Sequence, residues 1–247
     1  MPPDTGWLLA IDAGNTRIKW GVHDGSRWHT LGAVRTGEAH RLVDQWREGP
    51  TAQHAIASNV AGDETRMAIE NACARTGIPL QLVRSQKEQL GVTSAYEDPA
   101  QLGADRWAAL VAAHAALAGH KLVVVVGTAL TIDALTADGQ FLGGLIVPGP
   151  ALMRRSLDRG TAALRLTEGE VRDFPRRTPD AITTGALQAS AGAVERLARG
   201  MAAHGTPPAA IVLSGGAARE LAPHLHIPPA IHENLVLDGL ALIARAR

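Results

Sequence analysis

Short apolar runs ending in glycine-containing turns alternate along the chain with stretches whose apolar positions recur at helical spacing. Residues 8–12 and 18–22 read as strands joined by a tight Ala13-Gly14-Asn15-Thr16 turn, and residues 55–58 and 80–83 as two further strands. Residues 64–76 read as a helix with Met67, Ile69 and Ala72 on its apolar face. Residues 100–119, with Trp107, Leu110 and Val111 among many alanines, read as the clearest helix of the first half. A second strand series starts at 122–126, turns at Gly127-Thr128, continues through 130–135, and after Ala137-Asp138-Gly139 runs from 141 to 147. Helices over 151–157, 180–200 and 235–244 and a strand over 210–213 complete the pattern.

The two strand series are alike. Each has an apolar strand, a turn bearing Gly and Thr, and a second apolar strand, with helices following. Their offset suggests an internal duplication and two related α/β domains, 1–118 and 119–247, with the boundary near 118–121.

Composition narrows the possible functions. A chain of 247 residues buries roughly 70–75% of its unfolded surface, enough for a self-sufficient core. The 24 basic and 24 acidic side chains cancel, and no long run of one sign appears, which argues against nucleic acid or an anionic membrane as partner. No apolar run approaches the roughly 18–20 residues of a membrane span. The leading MPPDTGW lacks the pattern of a signal peptide. Cys73 is the only cysteine, which excludes an internal disulfide and suits the cytoplasm; its setting favours packing over nucleophilic use. The ten histidines form no zinc-binding pattern.

The densest chemistry lies in LLAIDAGNTRIKWGV, residues 8–22. An acid, a glycine turn, a hydroxyl and a lysine fall within eight residues, as binding of a nucleotide phosphate and its magnesium requires. The turn brings backbone amides near the phosphate oxygens, Asn15 and Thr16 donate hydrogen bonds, Lys19 adds positive charge, and Asp12 holds the metal or its water. An ordinary hairpin is the other reading. Gly103-Ala104-Asp105-Arg106 opens a helix; Asp105 either complements the helix dipole or serves as a general base beside a cation. Gly127-Thr128-Ala129-Leu130-Thr131 is a strand turn or a second phosphate grip, and Leu213-Ser214-Gly215-Gly216-Ala217 a strand-to-helix turn or a seat for adenine. Thr178 reads as the N-cap of a helix with Pro179 at its first position. No GxxxxGK[ST] segment occurs, which excludes a P-loop kinase.

In order, the DxGNT, GADR, GTAxT, GGLIVPG and LSGG segments resemble those of the type III pantothenate kinases, from about residue 8 to 239. That family includes members first described as accessory factors for virulence-gene expression. The resemblance implies two ribonuclease H-like domains of the acetate/sugar kinase, chaperone ATPase and actin superfamily, in a homodimer. It implies phosphorylation of pantothenate by ATP with Mg2+. It gives Asp12, Ala13, Gly14, Asn15, Thr16, Arg17, Ile18, Lys19 and Thr128 to ATP, with Asp12 toward magnesium. Tyr96, Gly103, Ala104, Asp105, Arg106 and Thr178 go to pantothenate, with Asp105 as proton acceptor. One position departs: where the family commonly has an aspartate that binds potassium or ammonium, this chain has Val125, which offers no side-chain oxygen. The competing readings are a sugar or short-acid kinase of the same superfamily and a nucleotide-binding regulator without turnover.

Overall fold

A computed structural model describes residues 6–47, 49–160 and 168–246; residues 1–5, at the head of the leading segment read above, lie outside them. The chain divides into two units, residues 1–116 with 235–247, and residues 117–234.

In the first unit β1 (Leu8–Ala13), β2 (Arg17–His23) and β3 (Trp28–Arg35) form an antiparallel meander. After α1 (Leu42–Trp46), β4 (His54–Asn59) pairs in parallel with β1; after α2 (Asp63–Thr76), β5 (Leu80–Leu82) pairs in parallel with β4. The sheet order is β3-β2-β1-β4-β5. Alternation along β1 sends Leu9, Ile11 and Ala13 into a core shared with Leu42 and Trp46 of α1 and Ile69 and Cys73 of α2. Met67, expected on the apolar face of α2, is instead 55% exposed, because it is two residues from buried Ile69 and a helix turns that step to another side. A hairpin of β6 (Glu88–Gln89) and β7 (Val92–Ser94) precedes α3 (Ala104–Ala116).

The second unit repeats the plan. Strands β8 (Lys121–Val126), β9 (Ala129–Leu135) and β10 (Gln140–Pro148) are antiparallel. Helices α4 (Pro150–Gly160) and α5 (Thr178–Ala203) follow, then β11 (Ala210–Ser214), parallel to β8. The short α6 (Ala218–Leu221) leads to β12 (Pro229–Ile231), parallel to β11. Leu122, Val124 and Val126 of β8 pack with Ile132 of β9 and with Leu187 and Val194 of α5.

Two further expectations are corrected. The last helix, α7 (Leu235–Arg245), groups with the first unit rather than completing the second. It packs on α3 and on β1 and β4. Gly239 permits this: a Cβ there would lie 1.9 Å from the Ala108 carbonyl oxygen, so only glycine lets the two helix backbones approach so closely. The Trp28 indole donates to Asp238 at 2.8 Å and Arg245 bonds the His23 ring at 2.8 Å, fixing α7 at both ends. In α5, Thr178 is the first helical residue and not the N-cap. The extended Arg177 is the cap, because its carbonyl accepts the first helical bond, from Ala181. Among the described residues, no helix is long and apolar enough to cross a membrane.

Candidate functional site

Asp12 is the penultimate residue of β1, at the carboxyl end of the parallel pair β1 and β4, where α/β sheets commonly carry their chemistry. It stands directly across from Lys19 of β2 on one side and Ser58 of β4 on the other. The Ser58 hydroxyl, fully buried, donates to Asp12 Oδ1 at 3.0 Å. Burial pushes the Asp12 carboxyl up to about 6, helped by the negative charge of Asp105 and opposed by Ser58 and Lys19.

The turn after Asp12 is held from two sides. Gly14 N–H donates to the Arg17 carbonyl at 3.1 Å, so that amide closes the turn itself. The Thr36 hydroxyl donates to the Gly14 carbonyl at 2.7 Å and Thr36 N–H to the Thr16 carbonyl at 3.1 Å. Asn15, Thr16 and Arg17 stand exposed at the tip. Ala13 and Ile18 are fully buried in the core, so their side chains pack and what they offer a ligand is the placement of the turn.

Asp105 enters on the first turn of α3. Its Oδ1 accepts the Arg106 amide at 2.8 Å, yet burial still holds its carboxyl above the usual range against the pull of that bond and of the Arg106 charge. Gly103 is small for a reason visible here: a Cβ would meet Asp105 Oδ1 at 2.6 Å, so any side chain would displace the acid. The segment before α3 is pinned by Ser85, whose hydroxyl lies 2.6 Å from the Pro99 carbonyl and 2.8 Å from that of Leu102. Arg106 is only 5% exposed. Its Nη1 donates to Tyr96 Oη at 3.2 Å, and its guanidinium carbon lies 5.9 Å from the centre of the Tyr96 ring. The structure thus brings Asp12, Lys19, Asp105, Arg106 and Tyr96 into one unit. Ala104 begins α3 beside them. Cys73 is buried and its thiol is pushed up to about 11, an inert setting.

The remaining sequence candidates belong to the second unit. Thr128 is exposed on the β8–β9 turn, its carbonyl accepting Gly149 N–H at 2.8 Å. Gly149, the last residue of GGLIVPG, must be glycine because a Cβ would lie 2.1 Å from the Gly127 carbonyl oxygen. Gly215 of the LSGG segment has φ of +99° and would carry a Cβ 2.4 Å from the Val126 carbonyl oxygen, so it is glycine on both counts. Thr178 is exposed at the start of α5. Within the next six residues, Asp180 and Thr184 accept the backbone amides of Glu170 and Arg172, at 3.0 and 3.1 Å. Sequence reasoning missed Ser58, Thr36 and Ser85. Only Ser58 left a trace there, as the polar end of an otherwise apolar strand.

The family model for type III pantothenate kinase matches residues 8–200. A type III pantothenate kinase of Dechloromonas aromatica is 44% identical over 96% of this chain and 98% of its own length. One of Aromatoleum aromaticum is 47% identical over the same shares. The crystal structure of a glucokinase from an Antarctic psychrotroph superposes over 97% of this chain and 99% of its own, with TM-score 0.52 at 10% identity, a likeness of fold alone. The β3-β2-β1-β4-β5 order of the first sheet, matched by β10-β9-β8-β11-β12 within the second, is accordingly a ribonuclease H-like fold. With the motifs in the family's order and the match spanning most of the molecule, this chain belongs to the type III pantothenate kinase family.

Proposed function

We propose that this protein transfers the γ-phosphoryl group of ATP to the primary hydroxyl of pantothenate, giving 4'-phosphopantothenate, the first step toward coenzyme A. The observation that carries the reading is the pairing of Asp12 and Asp105, two carboxyls both held above their usual range and flanked by Lys19 and Arg106. Different work suits each. Asp105 accepts the proton of the pantothenate hydroxyl as attack proceeds; a carboxyl raised by burial is a stronger base at neutral pH than a solvated one. Arg106, preset by Tyr96, pairs with the pantothenate carboxylate, because its planar fork matches two carboxylate oxygens.

Asp12 faces the nucleotide phosphates with Lys19 across the ladder and the Asn15–Thr16 tip beyond. Magnesium fits this donor set, since one Asp12 oxygen is held by Ser58 and a hard cation takes one or two carboxylates together with phosphate oxygens and waters. When bound, the ion offsets charge on the β- and γ-phosphates. Thr128 and Thr178 are carried over to ATP and to pantothenate by family position. No step is assigned to potassium or ammonium, because Val125 supplies no oxygen where the family has its cation ligand.

A homodimer is part of the reading. Leu142, Leu145, Ile146, Leu157, Val171 and Phe174, all within one stretch of the second unit, are exposed apolar side chains of the kind an interface covers. Light scattering at micromolar concentration tests it. A cytoplasmic enzyme without nucleic-acid or membrane partners is consistent with the balanced charge. The deciding experiment is a coupled ADP-release assay with magnesium and ATP. Release that depends on pantothenate is expected. Release on a sugar or short acid instead would make it another kinase of the superfamily, and nucleotide binding without turnover would make it a regulator.

A further inference from the structure

Of the features beside the acids, the buried serine next to Asp12 carries an inference beyond the proposed reaction. Ser58 is fully buried at the end of β4, directly across the parallel ladder from Asp12, and its hydroxyl reaches Asp12 Oδ1 at 3.0 Å. A carboxylate rotates easily about its last torsion, so an unheld Asp12 would present either oxygen, or both, toward the phosphates. One donor fixed to a neighbouring strand removes that freedom. It occupies Oδ1 and leaves Oδ2 as the oxygen offered to a cation.

We propose that Ser58 is a positioning residue for the metal–nucleotide complex, acting through Asp12 by fixing which carboxylate oxygen is available. This rests on the assignment of Asp12 to the nucleotide's magnesium and specifies how that assignment is carried out. Smallness alone does not account for the hydroxyl: alanine would fill the same space without a donor. Partners that hold a metal-binding carboxylate in place commonly control affinity by about 10–100-fold when removed.

The test uses the full chain with ADP and Mn2+ as a spectroscopic stand-in for magnesium, free Mn2+ being read by electron paramagnetic resonance. Ser58→Ala is expected to weaken Mn2+ binding in the presence of ADP by about 10-fold or more, while ADP binding without metal stays unchanged. Ser58→Thr, which keeps the donor, is expected to recover most of the affinity. Asp12→Asn, run alongside, should abolish the Mn2+ dependence. If Asp12→Asn loses the metal and Ser58→Ala binds it normally, the positioning role is wrong while the Asp12 assignment stands. If neither variant changes Mn2+ affinity, both fall. A Ser58→Thr protein as weak as Ser58→Ala would show that packing rather than the donor sets the affinity, and a loss in Ser58→Ala without one in Asp12→Asn would show action by another route. Either result overturns the proposal.

Discussion

The corner between β1 and β2 and the corner between β8 and β9 hold the same place in their sheets, with a turn one residue shorter in the second, and carry different chemistry. In both, the antiparallel first pair is flanked by a parallel strand that brings a serine level with the key position. In the first unit Asp12 lies between Lys19 and Ser58; in the second Val125 lies between Thr131 and Ser214. Both turns are closed by a glycine amide, Gly14 to Arg17 and Gly127 to Ala129. The fold therefore requires only the glycine turn and the apolar alternation. The acid is an addition that the first unit carries at an energetic cost, visible in a carboxyl that burial resists ionising.

The largest effect expected from breaking this contrast is at the acid on α3. Asp105→Asn should lower kcat by roughly two to four decades, the usual worth of a general base, with ATP affinity retained. Near-normal turnover in steady-state assays would remove Asp105 from the chemistry. Asp12→Asn should lose activity and gain stability at once. Its carboxyl rises from 3.8 to about 6 on folding, so the folded protein holds that proton more tightly than the unfolded chain. Stability contributed at low pH is lost as pH climbs through this window and stays lost above it. The gap corresponds to at most about 3 kcal/mol, less where solvent reaches the group. Thermal melts from pH 4 to 7 should show the downward slope in the native protein and a shallower one in Asp12→Asn. A steeper fall in the variant would contradict the assignment.

Helix glycines sharpen the contrast further. Gly239→Ala forces a Cβ against the Ala108 carbonyl and should destabilise by about 1–3 kcal/mol, as overpacking does. Gly200→Ala in α5 meets open space and should stabilise by about 0.5–1 kcal/mol, through helix propensity alone. Denaturant unfolding of both variants measures the difference. The smallest expected effect is at the second corner: with Val125 in place of an acid, titration with potassium or ammonium should leave turnover flat. A marked activation would mean that other oxygens serve.

Much of this was legible beforehand because it is local. Apolar runs and glycine turns fix where β1, β2, β8 and β9 lie, and the order of motifs pointed to the family. Strand β3 escaped because its sequence, WHTLGAVR, has no apolar run; it is an edge strand with mostly exposed or half-exposed positions. The cap of α5 was misplaced by one residue because Thr178-Pro179 carries the sequence signal of a cap, while the bond that defines one is made by a backbone carbonyl. Ser58, Thr36 and Ser85 were invisible for a related reason: each acts on a residue 14 or more positions away.

By itself the sequence determined which residues carry charge and hydroxyls, where the chain must turn, and that two similar α/β halves follow one another. Tertiary structure alone decided that the closing helix returns to the first half, that a serine on a neighbouring strand grips Asp12, and that the charge of Asp105, most of a domain away in the chain, adds to the cost of ionising Asp12. These are effects of distance and burial in space, and a linear order of residues contains neither until the strands are paired and the helices laid on them.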